Sequence, residues 1–201
     1  MELEQLGVNI NDKEMLHAVF FFFSSTKVME SAKRLARVMK FKTDVHKINH
    51  LFDQMTATID RNDLLLPQIV EVKELIMKGI AVHHAGLLPF LKEIVEVLFS
   101  HGDVHVLFAT ETSVIGINIQ NKTIIFPSLQ KFDGLKRRFL TPGEYTQISG
   151  RAGRRGKDKA GTVIVFLKHL LPTLKEIAEI AFGKPAALQS QFCMTHWMLL
   201  N

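Results

Sequence analysis

Cysteine is nearly absent from this sequence, which contains one, Cys193, among 201 residues. A lone thiol cannot form an intrachain disulfide, and this excludes the cross-linked architecture of small secreted domains and favours a reducing compartment. His196 lies close by, but nothing else there resembles a zinc framework, so we interpret Cys193 as a buried thiol.

Long apolar runs are also missing. The apolar stretch at Ala18–Phe23 is far too short to span a bilayer. Lys13 and Glu14, which precede it, do not form the basic start of a secretory leader. We therefore expect a soluble intracellular protein with no membrane partner.

The chain does contain a large apolar fraction, 47% of its residues, beside 22% charged residues and a formal net charge of +5. This composition predicts a folded globular protein with a sizeable core rather than a disordered one. The modest basic excess permits a polyanionic partner such as nucleic acid, but it does not by itself indicate one.

Short apolar runs alternate with longer amphipathic segments along the chain. The runs predict strands that are buried on both faces, and they lie at His17–Ser24, Gly79–His84, Asp103–Thr110, Lys122–Pro127 and Gly161–Leu167. The segments between them predict helices at Lys27–Met39, Leu66–Lys78 and Pro89–Ser100. This alternation predicts an α/β fold, a doubly wound parallel sheet of about five strands with helices on both faces.

Two regions interrupt the pattern. Phe41–Asp63 is polar, and we interpret it as an insertion that carries one or two helices. Towards the end, apolar helical patterns follow at Leu170–Phe182 and Leu188–Leu200. We divide the chain into an α/β domain at residues 1–168 and a C-terminal helical extension at residues 169–201, which we expect to be the truncated start of a further module.

Ligands of doubly wound sheets bind at the loops beyond the carboxyl ends of the strands. This rule directs attention to Ser24–Thr26, His83–Leu87, Thr110–Asn118 and the approach to Arg151. The hydroxyl residues of the first and third of these loops also suit helix N-caps, and both interpretations stay open.

The strongest functional pattern is QISGRAGRRG at Gln147–Gly156. Its three guanidinium groups, those of Arg151, Arg154 and Arg155, repel one another unless an anion or carboxylates neutralise them. A guanidinium binds two phosphate oxygens at once, and the interspersed glycines allow tight turns and a close approach. A solvated basic loop is the plain alternative.

This string resembles motif VI of superfamily-two helicases, and its full form is similar to that of the DExH-box RNA helicases of the superkiller and nuclear-exosome type. The resemblance implies that the chain is the second of two RecA-like lobes. It also implies that Arg151 and Arg154 contact the β- and γ-phosphates of ATP, one of them as an arginine finger. Gln147 would orient the attacking water or a phosphate contact, so these three residues form the predicted catalytic set.

LFATETSVIGIN at Leu107–Asn118 resembles motif V of the same family. By this resemblance Thr110 touches the RNA backbone, while Gly116 and Asn118 contact the nucleotide. The family has Met-Pro where this chain has Ile119-Gln120, and the missing proline predicts a less rigid loop.

Two further strings resemble RNA-contacting loops of this family. HHAGLLP at His83–Pro89 follows the second predicted strand, and the resemblance assigns His84 and Gly86 to the RNA backbone, with a structural role for His84 as the alternative. The string that ends at Ser24 is similar to motif IV, which assigns Ser24 to an RNA phosphate. The adjacent histidines do not indicate a metal, because successive strand residues point to opposite faces, and we predict no metal site.

The chain contains neither a G-x-x-x-x-G-K-[ST] phosphate loop nor an Asp-Glu-x-His box. In this family both lie on the first RecA-like lobe, where they hold Mg²⁺ and the β-phosphate. We therefore expect the cofactor, ATP with Mg²⁺, to be held mainly by that lobe, and the chain alone to be inactive in ATP hydrolysis.

The resemblance implies a role in 3′–5′ RNA unwinding and exosome-linked RNA decay. GKPAALQSQF at Gly183–Phe192 is more similar to the cytoplasmic superkiller helicase than to its nuclear relative. The implied partners are single-stranded RNA, the first RecA-like lobe and subunits of the exosome or superkiller complex, in the cytoplasm or, alternatively, the nucleus. Two other interpretations stay open: a non-catalytic RNA- or protein-binding remnant of a helicase lobe, and a DNA helicase of the related repair group.

Overall fold

A five-stranded parallel sheet forms the centre of the computed structural model, which describes residues 3–12, 15–57, 59–60, 62–111, 121–153, 158–167 and 172–184. The strands of this sheet are β1 (Ala18–Phe22), β2 (Ile80–His83), β3 (Val106–Thr110), β4 (Thr123–Phe126) and β7 (Thr162–Val165). They lie in the order β2-β3-β1-β4-β7, and every pairing is parallel. Each predicted apolar run contains one of these strands, which confirms the predicted α/β fold.

The central strands are buried because both of their faces are covered. Every residue of β1 and β3 is buried, and the rings of Phe20 and Phe108 stack with their centroids 4.7 Å apart. Phe20 and Phe108 are partners in the register of β1 and β3. Continuous apolar strands of this kind are typical of parallel sheets, which explains why the runs do not alternate with polar residues.

Seven helices lie in the described part of the chain. They are α1 (Leu3–Asp12), α2 (Ser25–Val38), α3 (Val45–Met55), α4 (Pro67–Ile76), α5 (Pro89–His101), α6 (Pro142–Ser149) and α7 (Leu174–Phe182). Proline occupies the first turn of α4, α5 and α6, and Gly102 ends α5 with a left-handed φ of 85°. These residues set the helix boundaries as expected, because proline suits a first turn and glycine suits a left-handed cap.

The predicted insertion at Phe41–Asp63 contains α3, and a 3-10 turn at Asp63–Leu65 follows it. α7 lies within the predicted helix Leu170–Phe182 and packs against α6, where it buries Ile180. The predicted helix Leu188–Leu200 and Cys193 lie outside the described residues, and the domain boundary at residue 168 stays a prediction. In the described ranges, no helix has the length and apolar character that crossing a bilayer requires.

A short antiparallel hairpin follows β4 and was not predicted from the sequence. It pairs β5 (Gln130–Phe132) with β6 (Arg137–Phe139). Its turn is closed by Asp133, whose Oδ1 accepts the N–H groups of Leu135 and Lys136 at 3.0 and 2.9 Å. Each strand has three mostly polar residues, so no apolar run marks them.

Candidate functional site

The carboxyl ends of β1, β2 and β3 bring three of the predicted loops together. One cleft is lined by Ser25 after β1, Ala85 after β2, and Thr110 and Glu111 at the end of β3, with Lys131 of the hairpin at its side. Parallel strands end at the same edge of a sheet, so loops that are distant in the sequence meet there. Ala85 lies between His84 and Gly86 in the chain. The structure therefore places these two candidate RNA contacts at the same edge of the sheet as Thr110.

A second cleft of about 280 Å³ opens beside the first and contains Ser24. Lys27 and Arg137, both exposed, contribute cationic groups to it, and Ser128 adds a second hydroxyl. Ser24 is the N-cap residue of α2, but its side chain makes no capping hydrogen bond. Hydroxyl and cationic side chains are the groups that contact a nucleic-acid backbone, so this cleft suits a phosphate.

The two adjacent histidines occupy different surroundings. Both side chains are buried and neither Nδ1 has a hydrogen-bond partner among the described residues, but Nε2 of His83 lies 2.8 Å from Oε1 of Glu96. Burial lowers the pKa of both imidazoles, and His83 and Lys92 lower that of His84 further. Both shifts favour the neutral imidazole.

Gly86 lies against the buried ring of His84. A Cβ atom at Gly86 would lie 3.3 Å from Nδ1 of His84, which is tighter than ordinary contact. The chain thus needs glycine here for close packing within the loop. Across the described ranges, no group of three histidine, cysteine or acidic residues is placed to hold a metal ion.

A network of ion pairs, which no sequence pattern indicated, joins the hairpin to the end of β3 and the start of α6. Nζ of Lys131 lies 3.0 Å from Oε2 of Glu111 and also pairs with Glu144. Arg138 donates two hydrogen bonds of 2.8 Å to the carboxylate oxygens of Glu144. Nε of Arg138 also lies 3.5 Å from Asp133. The partners come from separate elements, so only the fold reveals them.

Glu144 is the centre of this network. Thr141 caps α6 by accepting the N–H of Glu144, and the Glu144 carboxylate accepts the N–H of Thr141 in return, which forms a capping box. The hydrogen bonds from Arg138, and then those from Lys131, hold the pKa of Glu144 far below its usual range despite partial burial. Glu144 thus lies in the first turn of α6, where the positive end of the helix favours its negative charge.

The arginine string begins in a helix rather than in a loop. Gln147 lies exposed in the last turn of α6, and Arg151 follows that helix with its side chain half-buried and engaged by a partner. The N–H of Gly153 donates to the carbonyl of Asn121 at 2.8 Å, and Ala152 forms a parallel bridge with Asn121. Arg151 thus lies near the amino end of β4.

The segment that approaches Arg151 begins among the carboxyl-end loops as expected, because its hairpin lines the cleft that contains Ser24, but Arg151 itself lies at the opposite edge of the sheet. The reason is topological: α6 is a crossover helix that runs from the hairpin at the carboxyl edge back to the amino end of β4. Asn121 follows shortly after the predicted nucleotide contacts Gly116 and Asn118. Those two residues and Arg154 lie outside the described part of the chain, so their roles stay predictions.

Gly153 has a backbone conformation that only glycine adopts without strain. Its φ is 93°, and a Cβ atom there would lie 2.9 Å from the backbone nitrogen of Gly161. We expect Gly153→Ala to lower the free energy of unfolding by about 2 kcal/mol, from the left-handed backbone and the clash together. Urea unfolding monitored by circular dichroism measures this loss.

Gly134→Ala is the matched control for that substitution. Gly134 also has a positive φ, 101°, but a Cβ atom there meets nothing within 4 Å. We expect Gly134→Ala to lower the free energy of unfolding by less than Gly153→Ala does, because it introduces backbone strain but no steric clash. Equal losses would mean that the close approach of Gly153 to Gly161 does not matter.

Comparison with known proteins agrees with this geometry. Residues 30–156, more than half of the chain, match the family model described as the helicase conserved C-terminal domain. The chain is 44% identical to mouse superkiller complex protein 2 over 197 residues, which are 98% of the chain and 16% of that protein. It is 44% identical over 193 residues to the antiviral helicase SKI2 of Saccharomyces cerevisiae, covering 96% of the chain and 15% of the relative.

The human exosome RNA helicase MTR4 is 38% identical over 195 residues, which are 96% of the chain and 18% of that protein. The chain therefore spans about one sixth of the length of the curated relatives that it matches. These matches confirm the resemblance that the motifs carry. The chain is similar to one segment of helicases of the superkiller and exosome type, and it belongs to the helicase conserved C-terminal domain family, whose fold is that of a second RecA-like lobe.

Proposed function

We propose that the chain serves as the second lobe of an ATP-dependent RNA helicase. This lobe binds RNA at the carboxyl edge of its sheet and supplies arginines to an ATP site that it shares with a first lobe. The observation that carries this proposal is the convergence of Ser24, the Ala85 loop and Thr110 at one edge, beside Lys27 and Arg137. The arginine string lies at the amino end of β4.

In this proposal the carboxyl edge of the sheet binds RNA, and the arginine residues near the amino end of β4 act on ATP. Hydroxyl, backbone N–H and cationic groups at the carboxyl edge contact phosphates and sugars, so binding has little sequence preference. Phe132 on the rim is 64% exposed and offers a ring on which a base can stack. Arg151 and Arg154 stabilise the charge that develops on the transferred phosphoryl group, and Gln147 orients the attacking water.

ATP with Mg²⁺ belongs to the shared site, and the first lobe holds most of it. The chain contains no phosphate loop and no Asp-Glu-x-His box, so it supplies neither ligands for Mg²⁺ nor a cradle for the β-phosphate. We infer that the chain alone does not turn over ATP. The name of one relative, an exosome RNA helicase, supports RNA unwinding by the complete enzyme. We propose 3′–5′ polarity and a role in RNA decay from the motif resemblance.

The partners that follow are single-stranded RNA, the first lobe, and subunits of the exosome or the superkiller complex. The identity to the superkiller proteins exceeds that to the exosome helicase, 44% against 38%. This difference favours the cytoplasmic member of the family over the nuclear one as the parent protein, in agreement with the string at Gly183–Phe192.

A titration of single-stranded RNA at several salt concentrations tests the RNA-binding role. Lys27 and Arg137 are the exposed cations of the phosphate cleft, and two neutralised phosphates predict a slope of log K against log salt of about −1.4. We expect Lys27→Ala and Arg137→Ala each to reduce the slope by about 0.7. Lys175→Ala, at an exposed position on α7, is the control and should leave the slope unchanged.

Fluorescence anisotropy with a labelled oligouridine measures these slopes. Binding that does not weaken with salt, or slopes that fall equally in all three variants, would contradict the assignment of the cleft. No binding at any salt concentration would remove the RNA role of this lobe.

A further inference from the structure

The side-chain amide of Gln68 reaches from the first turn of α4 to the loop between β2 and α5. Its Nε2 donates to the carbonyl of Gly86 at 2.9 Å, and its Oε1 accepts the N–H of Leu88, also at 2.9 Å. One amide thus bonds both an acceptor and a donor of the backbone, as a neighbouring strand would. Pro67 fixes the helix start beside it.

Other groups occupy the remaining carbonyls of the same loop. Nζ of Lys92 donates to the carbonyl of Ala85 at 3.1 Å, and the N–H of Leu87 donates to the carbonyl of His84 at 3.1 Å. Successive carbonyls from His84 to Gly86 are therefore all engaged. By contrast, the N–H groups of Ala85 and Gly86 donate to no backbone carbonyl within the residues that the structure describes.

This arrangement leaves two neighbouring backbone donors for an anion. They lie just before α5, whose positive end also favours negative charge. The adjoining side chains hold the loop in place: His84 and Leu87 are buried, and Gly86 packs on the His84 ring.

We propose that Gln68 is a positioning residue for RNA binding: it holds the loop at His84–Leu88 in the conformation that presents the Ala85 and Gly86 N–H groups to an RNA phosphate. It does so without touching the RNA. The inference rests on the proposed function of this edge. A loop that is already ordered binds more tightly, because the cost of ordering it is not subtracted from the binding free energy.

A merely structural role predicts a different outcome. If Gln68 only fastened α4 to α5, its loss would lower the melting temperature and leave the RNA affinity of the folded chain unchanged. The positioning role predicts the reverse, because Gln68 is only half-buried and its two hydrogen bonds, one exposed and one partly buried, hold a single loop. The two readouts, affinity and melting temperature, therefore separate the two roles.

The test compares variants of the full 201-residue chain for binding to a labelled oligouridine at low salt. We expect Gln68→Ala to weaken binding about tenfold, with little change in melting temperature. Gln68→Glu should bind more weakly still, because a carboxylate cannot donate to the Gly86 carbonyl and adds a negative charge near the phosphate. Gln54→Ala, at an exposed position on α3, is the matched control and should bind like the wild type.

Hydrogen–deuterium exchange of the segment 84–88 gives a second measurement, which we expect to be faster in Gln68→Ala while other segments keep their rates. If Gln68→Ala does not fold, Gln68→Met keeps the length of the side chain without the amide and carries the same expected loss. Wild-type affinity in the folded variant would overturn the inference and leave the RNA role intact. No RNA binding by the wild type would overturn the proposed function itself.

Discussion

Replacing Arg151 with alanine is expected to lower RNA-stimulated ATP hydrolysis by roughly a thousandfold or more in a complete helicase that contains this lobe. An arginine directed at the transferred phosphoryl group stabilises charge that exists only in the transition state, so its loss lowers kcat. Arg151 is half-buried, and its backbone follows α6 directly, so the helix limits its freedom before ATP binds. RNA affinity should change little, because the proposed RNA contacts lie at the other edge of the sheet.

The complete helicase for this measurement is a chimera, in which the chain replaces its aligned segment in the yeast relative SKI2. The two sequences align over 193 residues at 44% identity, so the replaced lobe keeps its boundaries. Arg37→Ala is the control, since Arg37 is exposed in the last turn of α2 and serves no proposed contact. A loss below tenfold for Arg151→Ala, or an equal loss for Arg37→Ala, would contradict the arginine assignment.

The second large effect is expected at Glu144. Glu144→Ala removes the carboxylate that pairs with Arg138 and Lys131 and half of the capping box of α6. We expect a loss of about 3 kcal/mol in the free energy of unfolding, because two half-buried cations lose their shared partner and one helix loses its cap. Denaturant unfolding of the chain measures the loss.

Glu176 provides the matched control for Glu144. It completes a capping box with Thr173 at the start of α7 and is half-buried like Glu144, but it pairs with no cation among the described residues. Glu176→Ala should therefore cost clearly less stability than Glu144→Ala. Equal losses would show that the cap, and not the ion pairs, provides the stabilisation.

The lowered pKa of Glu144 predicts how this contribution depends on pH. A carboxyl group whose pKa is lower in the folded state stabilises the fold above its unfolded pKa of about 4.3, and the stabilisation is lost as the pH falls below that value. The stability difference between the wild type and Glu144→Gln should therefore shrink between pH 5 and pH 3. A constant difference over this range would mean that the carboxylate is not held by Arg138.

The sheet could be predicted from the sequence because its signal is local. A strand buried on both faces needs a continuous apolar run, and each such run stands between polar segments long enough to form helices. Helix ends were predictable for a similar reason, since Pro67, Pro89 and Gly102 mark them through their own backbone preferences. The convergence of three loops at one edge then follows from parallel strands alone.

The rest depends on contacts between distant segments. The ion pairs of Lys131 join residues that are separated by helices or strands in the sequence. The hydrogen bonds of Gln68 join the start of α4 to the loop before α5. Neither leaves a pattern in the sequence. The position of Arg151 at the amino end of β4 was not predicted, because it depends on α6 running back across the sheet as a crossover helix.

The most direct test of the central claim, that this lobe completes an ATP site whose phosphate-binding half lies elsewhere, is RNA-stimulated ATP hydrolysis by two proteins. They are the purified 201-residue chain and the SKI2 chimera that contains it. We expect no hydrolysis above background by the chain alone, and turnover by the chimera that depends on Arg151. Turnover by the chain alone, or an active chimera that is insensitive to Arg151→Ala, would contradict the claim.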